Sequence, residues 1–250
     1  MQTLARGLLN IIFPPRCGVC LAFGPEVLCA ECRDAIERLA PPWCASCGIP
    51  AAFPHAELIC RTGVVTAVRS YGRYRGILGE AVKALKFRGR RALGPPLSAL
   101  LAEFVTSDDG PPPTPRELAA VDVIAPVPLH ASRLAGRGFN QAQALAETVG
   151  AATGVPVEPV LLRTRATEFQ RVVPANQRVD NLRGAFAVAP GVSVKGARVL
   201  LADDLLTTGA TVAECAKVLH RAGAASVGAL TLARAGFGPD DTDAFRGTAG

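Results

Sequence analysis

Continuous apolar runs mark the strands that this chain predicts. Residues Val121 to Val127 and Val199 to Ala202 are almost wholly apolar, as strands buried on both faces of a parallel sheet are. After the second run the apolar positions take helical spacing and form one stripe, namely Val212, Cys215, Ala216 and Leu219. We predict a helix that begins near Thr211, has a capping box between Thr211 and Glu214, and ends at Gly223. Alternating strands and helices indicate the α/β class.

The first predicted strand leads into a basic loop and then into another predicted helix. The loop runs from Leu129 to Phe139 and carries Arg133 and Arg137. Guanidinium groups at this place suit pyrophosphate, because they bind its oxygens through paired, charge-assisted hydrogen bonds. Asn140 is predicted to cap the following helix, with Gln143 at the reciprocal capping position.

Composition places the chain among ordinary globular proteins. Of its 250 residues 49% are hydrophobic and 19% are charged, which excludes a fully disordered chain. No apolar run approaches the roughly 18 residues of a membrane helix, so we expect no membrane span. The apolar segment from Thr3 to Phe13 runs into Pro14 without a small-residue cleavage site, which favours a short amphipathic helix over a signal peptide. We therefore expect a cytoplasmic protein, whose thiols stay free or bind metal.

Cysteine is concentrated in the first quarter of the chain. Seven of the eight cysteines lie between Cys17 and Cys60, as three CxxC pairs and one single residue. A CxxC turn directs two thiolates at one ion, and two such turns complete a tetrahedral zinc site. Three crowded pairs without a βαβ pattern around them favour zinc over a redox disulfide. The first predicted site is closed and structural, and its ligands are Cys17, Cys20, Cys29 and Cys32.

A second set of possible zinc ligands has only three cysteines, Cys44, Cys47 and Cys60. Gly63 stands where a closing CxxC pair is expected, and His55 is an alternative fourth ligand whose spacing fits no standard knuckle. We therefore predict one closed zinc site and a second site that is incomplete or degenerate. So short a segment cannot bury a sufficient core without metal. Its small core is predicted to consist of Phe23, Trp43 and Phe53, which are interpreted as core residues and not as a binding surface.

Two carboxylates and a hydroxyl-rich turn follow the strand that starts at Val199. Asp203 and Asp204 lie at its C-terminal end, where open α/β sheets bind their ligands. The turn, Thr207-Thr208-Gly209-Ala210-Thr211, then leads into the predicted helix. Hydroxyls and free N–H groups at a helix N-terminus bind phosphate, and carboxylates accept hydrogen bonds from vicinal sugar hydroxyls. The run therefore predicts a ribose 5-phosphate site.

The same run resembles the motif by which type I phosphoribosyltransferases bind 5-phosphoribosyl 1-pyrophosphate (PRPP). Together with several other sequence features, this run makes the chain resemble the ComF family (ComFC and GntX type) from about Pro14 to Arg234. The other features are the CxxC pairs, Lys86 to Gly89, Arg137 to Gln141, Gln170, Arg178 and Asn181. The resemblance implies an α/β fold, a type I phosphoribosyltransferase-like doubly wound parallel sheet preceded by a small Cys-rich zinc ribbon. The expected boundaries are 1–63 for the zinc-ribbon domain, 64–236 for the phosphoribosyltransferase-like domain and 237–250 for a flexible tail.

The resemblance also implies ligands and roles. Structural Zn²⁺ would occupy the ribbon, and Mg²⁺ would accompany PRPP, with Arg133 and Arg137 at the pyrophosphate. Asp203 and Asp204 would hold the ribose hydroxyls as the catalytic pair, and Thr207, Thr208, Gly209, Ala210 and Thr211 would hold the 5-phosphate. ComF proteins are associated with single-stranded DNA handling in natural transformation, so DNA and transformation proteins are expected partners. Two alternatives stay open: an active phosphoribosyltransferase with a base-like acceptor, and a zinc-dependent docking module whose sugar-phosphate site is vestigial.

A basic stretch between Arg61 and Arg91 suggests a nucleic-acid surface. It holds nine Lys and Arg residues against one acid, Glu80, within a chain whose net charge is +6. Cations along a backbone with interleaved aromatic rings, here Tyr71, Tyr74 and Phe87, are the ingredients of a single-strand groove. The alternative is a solvated face whose arginine stems cover apolar surface. The candidate DNA-binding residues are Arg73, Arg75, Lys83, Lys86 and Arg88.

Overall fold

A computed structural model describes residues 14–53, 58–108, 114–165 and 182–237 of the chain. Its strands are β1 Val68–Arg73, β2 Val123–Pro126, β3 Leu161–Arg163, β4 Phe186–Val188, β5 Arg198–Leu206 and β6 Ser226–Arg234. Its helices are α1 Ala30–Asp34, α2 Leu58–Thr62, α3 Gly76–Phe87, α4 Gly94–Val105, α5 Pro115–Leu118, α6 Ala131–Arg137, α7 Gln141–Thr153 and α8 Ala210–Arg221, with a 3₁₀ turn at Arg91–Leu93. The helix predicted within residues 3–13 and the tail predicted beyond residue 237 lie outside the described residues.

Four parallel strands form the central sheet, in the order β1-β6-β5-β2. The predicted apolar strands correspond to β2 and β5. However, β5 continues past its apolar run to Leu206, so that the two aspartates lie within the strand. The reason is its neighbour β6, which pairs with Leu205 and Leu206 through Ala233 and Arg234. A long partner strand thus extends β5 beyond what its own hydrophobicity predicts.

Helices cover both faces of the sheet, which confirms the predicted doubly wound α/β fold. On one face, α3, α4 and α7 pack over alternate strand residues such as Leu200 and Leu230. On the other face, α8 packs over the intervening residues Leu201 and Ala229, beside the antiparallel pair of β3 and β4. Cys215 of α8 is fully buried in this second layer, and burial raises the pKa of its thiol far above the usual range. It is a core residue, as its helical spacing predicts.

The cysteine-rich segment lies along the edge strand β1. Backbone hydrogen bonds join Leu39 N to Tyr71 O, Arg73 N to Glu37 O, and Val68 N to Ser46 O, at 3.0, 2.9 and 2.7 Å. Its first half packs into the core on the α3 side through Leu28, Ile36 and Trp43, and its second half packs on the α8 side through Ile49 and Ile59. The segment therefore protects an exposed sheet edge and contributes to both cores.

Three local predictions differ from the structure. The loop predicted between Leu129 and Phe139 contains helix α6, because His130 caps it by accepting a hydrogen bond from Ser132 N at 3.2 Å. The predicted capping box at Thr211 is absent, because the left-handed Gly209 is the N-cap of α8 and Glu214 instead accepts from Gly184 N at 3.1 Å. Phe23, predicted to be in the ribbon core, is 64% exposed, with the Arg16 guanidinium 4.0 Å from its ring centroid.

Other local predictions are confirmed. Asn140 caps α7 by accepting a hydrogen bond from Ala142 N at 3.1 Å, although Gln143 bonds to Glu147 and does not complete a capping box. Trp43 is buried, and Phe53 packs edge-on against Phe237.

No helix among the described residues is long and apolar enough to cross a membrane.

Candidate functional site

The two adjacent carboxylates of β5 lie near the C-terminal edge of the sheet, and Asp204 is paired with a lysine from another element. Lys86, near the end of α3, places its Nζ 2.8 Å from Asp204 Oδ1. The side chains are 13% and 11% exposed, so water screens the pair little. The ion pair therefore fixes the Asp204 carboxylate in one orientation.

Asp203 has a different electrostatic setting. Burial, and next the nearby Asp204 carboxylate, raise the pKa of Asp203 to about 7, while the Lys86 ammonium acts in the opposite sense. Asp203 Oδ1 also accepts a hydrogen bond from Asp204 N at 2.8 Å, which orients the group. Two neighbouring carboxylates that resist ionising together have a net preference for cations and for hydroxyl donors.

Arg163 interacts electrostatically with Asp203, and Arg133 interacts with Arg163. Arg163, at the end of β3, has its pKa lowered by burial and then by the charge of Arg133 from α6, whereas Asp203 raises it. The Arg163 guanidinium lies 5.4 Å from the ring centroid of Phe186 on β4. Two guanidiniums near enough to repel each other form a favourable place for a polyanion. Arg137 is the last residue of α6, and its side chain lies outside the described part of the structure.

The hydroxyl-rich turn follows β5 directly and ends at the start of α8. Gly209 takes a left-handed conformation, φ 75°, which residues with a side chain rarely adopt. As the N-cap it offers no side-chain oxygen to the N–H groups of the first helical turn. Thr208 Oγ1 lies 3.4 Å from Ala210 N. The start of α8 therefore presents backbone donors and hydroxyls together, as an anion site requires.

The sequence predicted the acid pair and the turn, but it missed two of the basic groups around them. The sequence places Lys86 in the candidate DNA-binding surface and predicts no role for Arg163. No local pattern identifies either one, because Lys86 and Asp204 are 118 positions apart and meet only through the packing of α3 on the sheet. The single available signal for Arg163 is its place at the end of a short apolar run, Val160 to Leu162.

The first cysteine cluster has the geometry of a zinc site. The four sulfur atoms of Cys17, Cys20, Cys29 and Cys32 all lie within 4.8 Å of one another. The Cys17–Cys32 and Cys20–Cys29 sulfur distances are 3.8 and 3.7 Å. A tetrahedron with Zn–S bonds of about 2.3 Å has edges of about 3.8 Å, so these residues fit Zn²⁺ without rearrangement.

The second cluster holds three cysteines in the same kind of arrangement. Cys44, Cys47 and Cys60 have their sulfur atoms within 4.8 Å of one another, and the Cys44–Cys60 sulfur distance is 3.7 Å. Two buried arginines of the sheet hold this knuckle through its carbonyls: Arg234 donates to Cys47 O at 2.7 Å and Arg69 to Ala45 O at 2.9 Å. His55, the alternative fourth ligand, lies outside the described residues. Three thiolate positions of this geometry fit a metal ion that takes one further ligand.

The basic stretch is not one open cationic surface. Arg73 is buried and, with Arg75, pairs with Glu37 of the cysteine-rich segment. Lys83 and Arg88 both pair with Glu80. A count of charges between Arg61 and Arg91 includes Glu80 but omits Glu37 and Asp204, which come from other segments. The expected stacking role of two tyrosines is wrong, because Tyr71 and Tyr74 are buried in the core, whereas Phe87 is 68% exposed.

Comparison with known proteins identifies both parts of the chain. A model described as double zinc ribbon domain matches residues 8–62, and one described as phosphoribosyl transferase domain matches residues 134–248. The DNA utilization protein YhgH of Salmonella typhimurium is 32% identical, over 88% of this chain and 97% of its own length. The chain belongs to the ComF family. Other relatives are Competence protein F of Haemophilus influenzae, 28% identical over 83% of this chain and 90% of its own, and Competence protein ComFC of Streptococcus pneumoniae, 27% identical over 83% and 87%.

Among solved structures, a glutamine PRPP amidotransferase from B. subtilis aligns with 60% of this chain and with 30% of its own chain, at a TM-score of 0.39 and 19% sequence identity.

Membership of the ComF family confirms the predicted zinc ribbon and phosphoribosyltransferase-type domain. Lys86 lies outside both matched segments, between the ribbon and the phosphoribosyl transferase domain. The ComF chain thus supplies a lysine to the acid pair from a region that neither family model covers.

Proposed function

We propose that this ComF-family protein binds PRPP or a related ribose phosphate, with Mg²⁺, at the C-terminal edge of its sheet. The observation that carries the proposal is the convergence of the buried Lys86–Asp204 ion pair, Asp203 and the Thr207–Thr211 turn at the end of one strand. Carboxylates, phosphate-binding backbone and fixed cations are the three chemistries that a ribose phosphate demands. A cytoplasmic location, in which the cysteines stay reduced and bind zinc, is part of the same proposal.

Each part of the site would recognise one part of the ligand. Asp203 and Asp204 would accept hydrogen bonds from the vicinal ribose hydroxyls, and Thr207 to Thr211 would hold the 5-phosphate through hydroxyls and N–H groups. Arg133, Arg137 and Arg163 would neutralise the pyrophosphate. Bound Mg²⁺ would supply charge neutralisation at pyrophosphate oxygens, and the hard oxygen donors of Asp203, Asp204 and pyrophosphate are those that it prefers.

Whether group transfer follows binding is a separate question. In a phosphoribosyl transfer, the bond from C1 to the pyrophosphate oxygen breaks, pyrophosphate leaves with the electron pair, and the acceptor forms the new bond to C1. The clustered cations would stabilise the leaving pyrophosphate, and positioning would provide the remainder of the acceleration. Release of pyrophosphate with a panel of bases tests this alternative; no release despite tight PRPP binding would leave a binding protein.

Titration calorimetry with Mg²⁺ and PRPP tests the binding proposal. We expect saturable binding by the wild-type protein and none by Asp204→Ala. The matched control is Asp122→Ala, which removes an exposed aspartate paired with Arg198 at the opposite end of β5 and should bind as the wild type does. Absence of binding by the wild type would refute the proposal and favour the docking-module alternative.

A second candidate function is contact with single-stranded DNA. Phe87 is an exposed aromatic ring at the end of α3, next in sequence to Lys86 and Arg88, and relatives of this chain are named for DNA utilization and competence. An exposed ring stacks on bases, and neighbouring cations bind the backbone. This surface is smaller than the one predicted from the sequence, because Arg73 is buried.

The DNA function has its own test. We expect Phe87→Ala with Arg88→Ala to weaken binding of a labelled oligonucleotide and to flatten its dependence on salt, since fewer counterions are released. The control is Arg116→Ala, which removes an exposed arginine that lies outside the basic stretch and pairs with Asp108. An unchanged salt slope in the double variant would exclude this surface.

A further inference from the structure

The second cysteine cluster is joined to the phosphate-binding turn by a direct packing contact. Helix α2, Leu58–Thr62, carries the ligand candidate Cys60, and its neighbour Ile59 is completely buried. Ile59 packs against the backbone of Gly209: a Cβ added to Gly209 would lie 2.8 Å from Ile59 Cδ1 and 3.0 Å from Ile59 Cγ1. The isoleucine therefore fills the space behind the residue that starts α8.

Helix α2 is held in place by the burial of Ile59 and by the cysteine cluster. It is five residues long, and so short a helix does not form by itself in water. The knuckle that carries Cys44 and Cys47, in contrast, is fixed to the sheet by Val68 N, which donates to Ser46 O, and by the Arg234 guanidinium. A metal bound by all three cysteines would tie the short helix to this fixed knuckle.

We propose that metal in the second cysteine cluster controls the sugar-phosphate affinity of the Thr207–Thr211 turn, with Ile59 as the positioning residue. The inference rests on the proposed function, because the controlled site is the one that would hold the 5-phosphate. Metal at Cys44, Cys47 and Cys60 holds α2 against Gly209 and keeps the first turn of α8 in the conformation that presents its N–H groups. Loss of the metal frees α2, and Gly209 then samples other conformations. Cys60 is exposed, so the cluster is accessible to metal exchange.

The test compares two isoleucines of the same ribbon. Ile59→Ala removes the contact with Gly209, whereas Ile36→Ala removes a similarly buried side chain that packs near Gly72 of β1, on the other face of the sheet. We expect Ile59→Ala to weaken PRPP binding about tenfold, a usual size for coupling between sites, and to accelerate hydrogen exchange at residues 207–212. Ile36→Ala should leave both quantities as in the wild type, provided that it folds.

A third variant keeps the test informative if Ile59→Ala does not fold. Cys60→Ser changes an exposed side chain, and we expect it to lower the zinc content of the purified protein, weaken PRPP binding and accelerate exchange at 207–212. If Cys60→Ser loses zinc yet retains wild-type affinity and exchange, the proposed control is wrong. If the wild type does not bind PRPP, the proposed function fails, while the hydrogen-exchange comparison still decides whether the cluster positions the turn.

Discussion

Lys86 shows how a single residue changes meaning between sequence and structure. In the sequence it is one of nine cations in a basic stretch, and in the fold it is the buried partner of Asp204. The acid pair itself was predictable, because a strand and a glycine-containing turn flank it in sequence. Its cationic partner was not, because the pairing depends on how α3 packs across the sheet.

Replacing Lys86 by Met should destabilise the protein and weaken PRPP binding together. The change leaves the Asp204 carboxylate buried without its partner, which costs about 3 kcal/mol in a largely buried pair. Chemical denaturation and PRPP calorimetry measure the two effects. Lys83→Met, in the same helix, removes an exposed pair with Glu80 and should change the unfolding free energy by less than about 1 kcal/mol. Equal behaviour of the two variants would contradict the role given to Lys86.

The raised pKa of Asp203, about 7, predicts a pH dependence of ligand binding. Above pH 7 the ionised carboxylate is a stronger acceptor for a ribose hydroxyl, and below pH 7 the protonated form loses part of that bond. PRPP affinity should therefore rise between pH 6 and 8 more steeply in the wild type than in Asp203→Asn. The pH dependence that is left in Asp203→Asn measures the titration of PRPP itself. Parallel pH profiles would show that Asp203 does not titrate in this range.

The ionisation of Asp203 should lower the stability of the fold, although it strengthens ligand binding. Because the folded-state pKa of Asp203 lies above the ordinary value of 3.8, ionising this carboxyl opposes folding. Its contribution therefore lowers the unfolding free energy progressively as the pH rises from about 4 to about 7. Asp203→Asn should remove this component from the pH profile of the unfolding free energy.

At the scale of elements, the strand–turn–helix from Arg198 to Arg221 was predicted in outline, while its boundaries were set by neighbours. Pairing with β6 extends β5 beyond its apolar run, and the contact with Ile59 requires a glycine at the N-cap of α8. Both causes lie in other segments of the chain, so neither boundary follows from local hydrophobic periodicity. The helix α6 was missed for a different reason, since its cap is the side chain of His130.

Gly209→Ala should disturb the turn more than its backbone strain alone predicts. The residue has φ 75°, and a methyl group would also meet Ile59 at 2.8 Å. Gly154→Ala is a matched control, because Gly154 has φ 74° and nothing within 4 Å of the added methyl group. We expect denaturation to show a loss of about 1 kcal/mol for Gly154→Ala and of about 2 kcal/mol or more for Gly209→Ala. Equal losses would show that the contact with Ile59 is unimportant.

At the scale of the whole molecule, the cysteine spacing and the motif from Val199 to Thr211 were enough to predict a zinc ribbon and a phosphoribosyltransferase-like sheet. The way the two join could not be predicted. The ribbon lies along β1, hydrogen bonds to it, and sends apolar side chains such as Trp43 and Ile59 to opposite faces of the sheet. Nothing in the spacing of the cysteines encodes these contacts, which arise from complementarity between two surfaces.

Removing zinc should therefore destabilise the sheet as well as the ribbon. Without metal the cysteine-rich segment loses its cross-links and its part of both cores, and we expect Tm to fall by about 10 °C or more. Calorimetric melting before and after treatment with a chelator measures the shift, and adding back Zn²⁺ should restore it. An unchanged Tm in protein shown to be free of metal would contradict the integrated core.

We propose that the aspartate pair recognises a ribose diol while the turn holds a phosphate. The most direct test of this proposal is the affinity of the zinc-loaded protein for ribose 5-phosphate and for 2-deoxyribose 5-phosphate, measured side by side by calorimetry. The two ligands share the phosphate and differ in one hydroxyl, whose loss leaves a carboxylate acceptor unused at a cost of roughly 1.5 kcal/mol. We predict that ribose 5-phosphate binds about tenfold more tightly. Equal affinities, or tighter binding of the deoxy sugar, would show that the aspartate pair does not recognise the ribose diol.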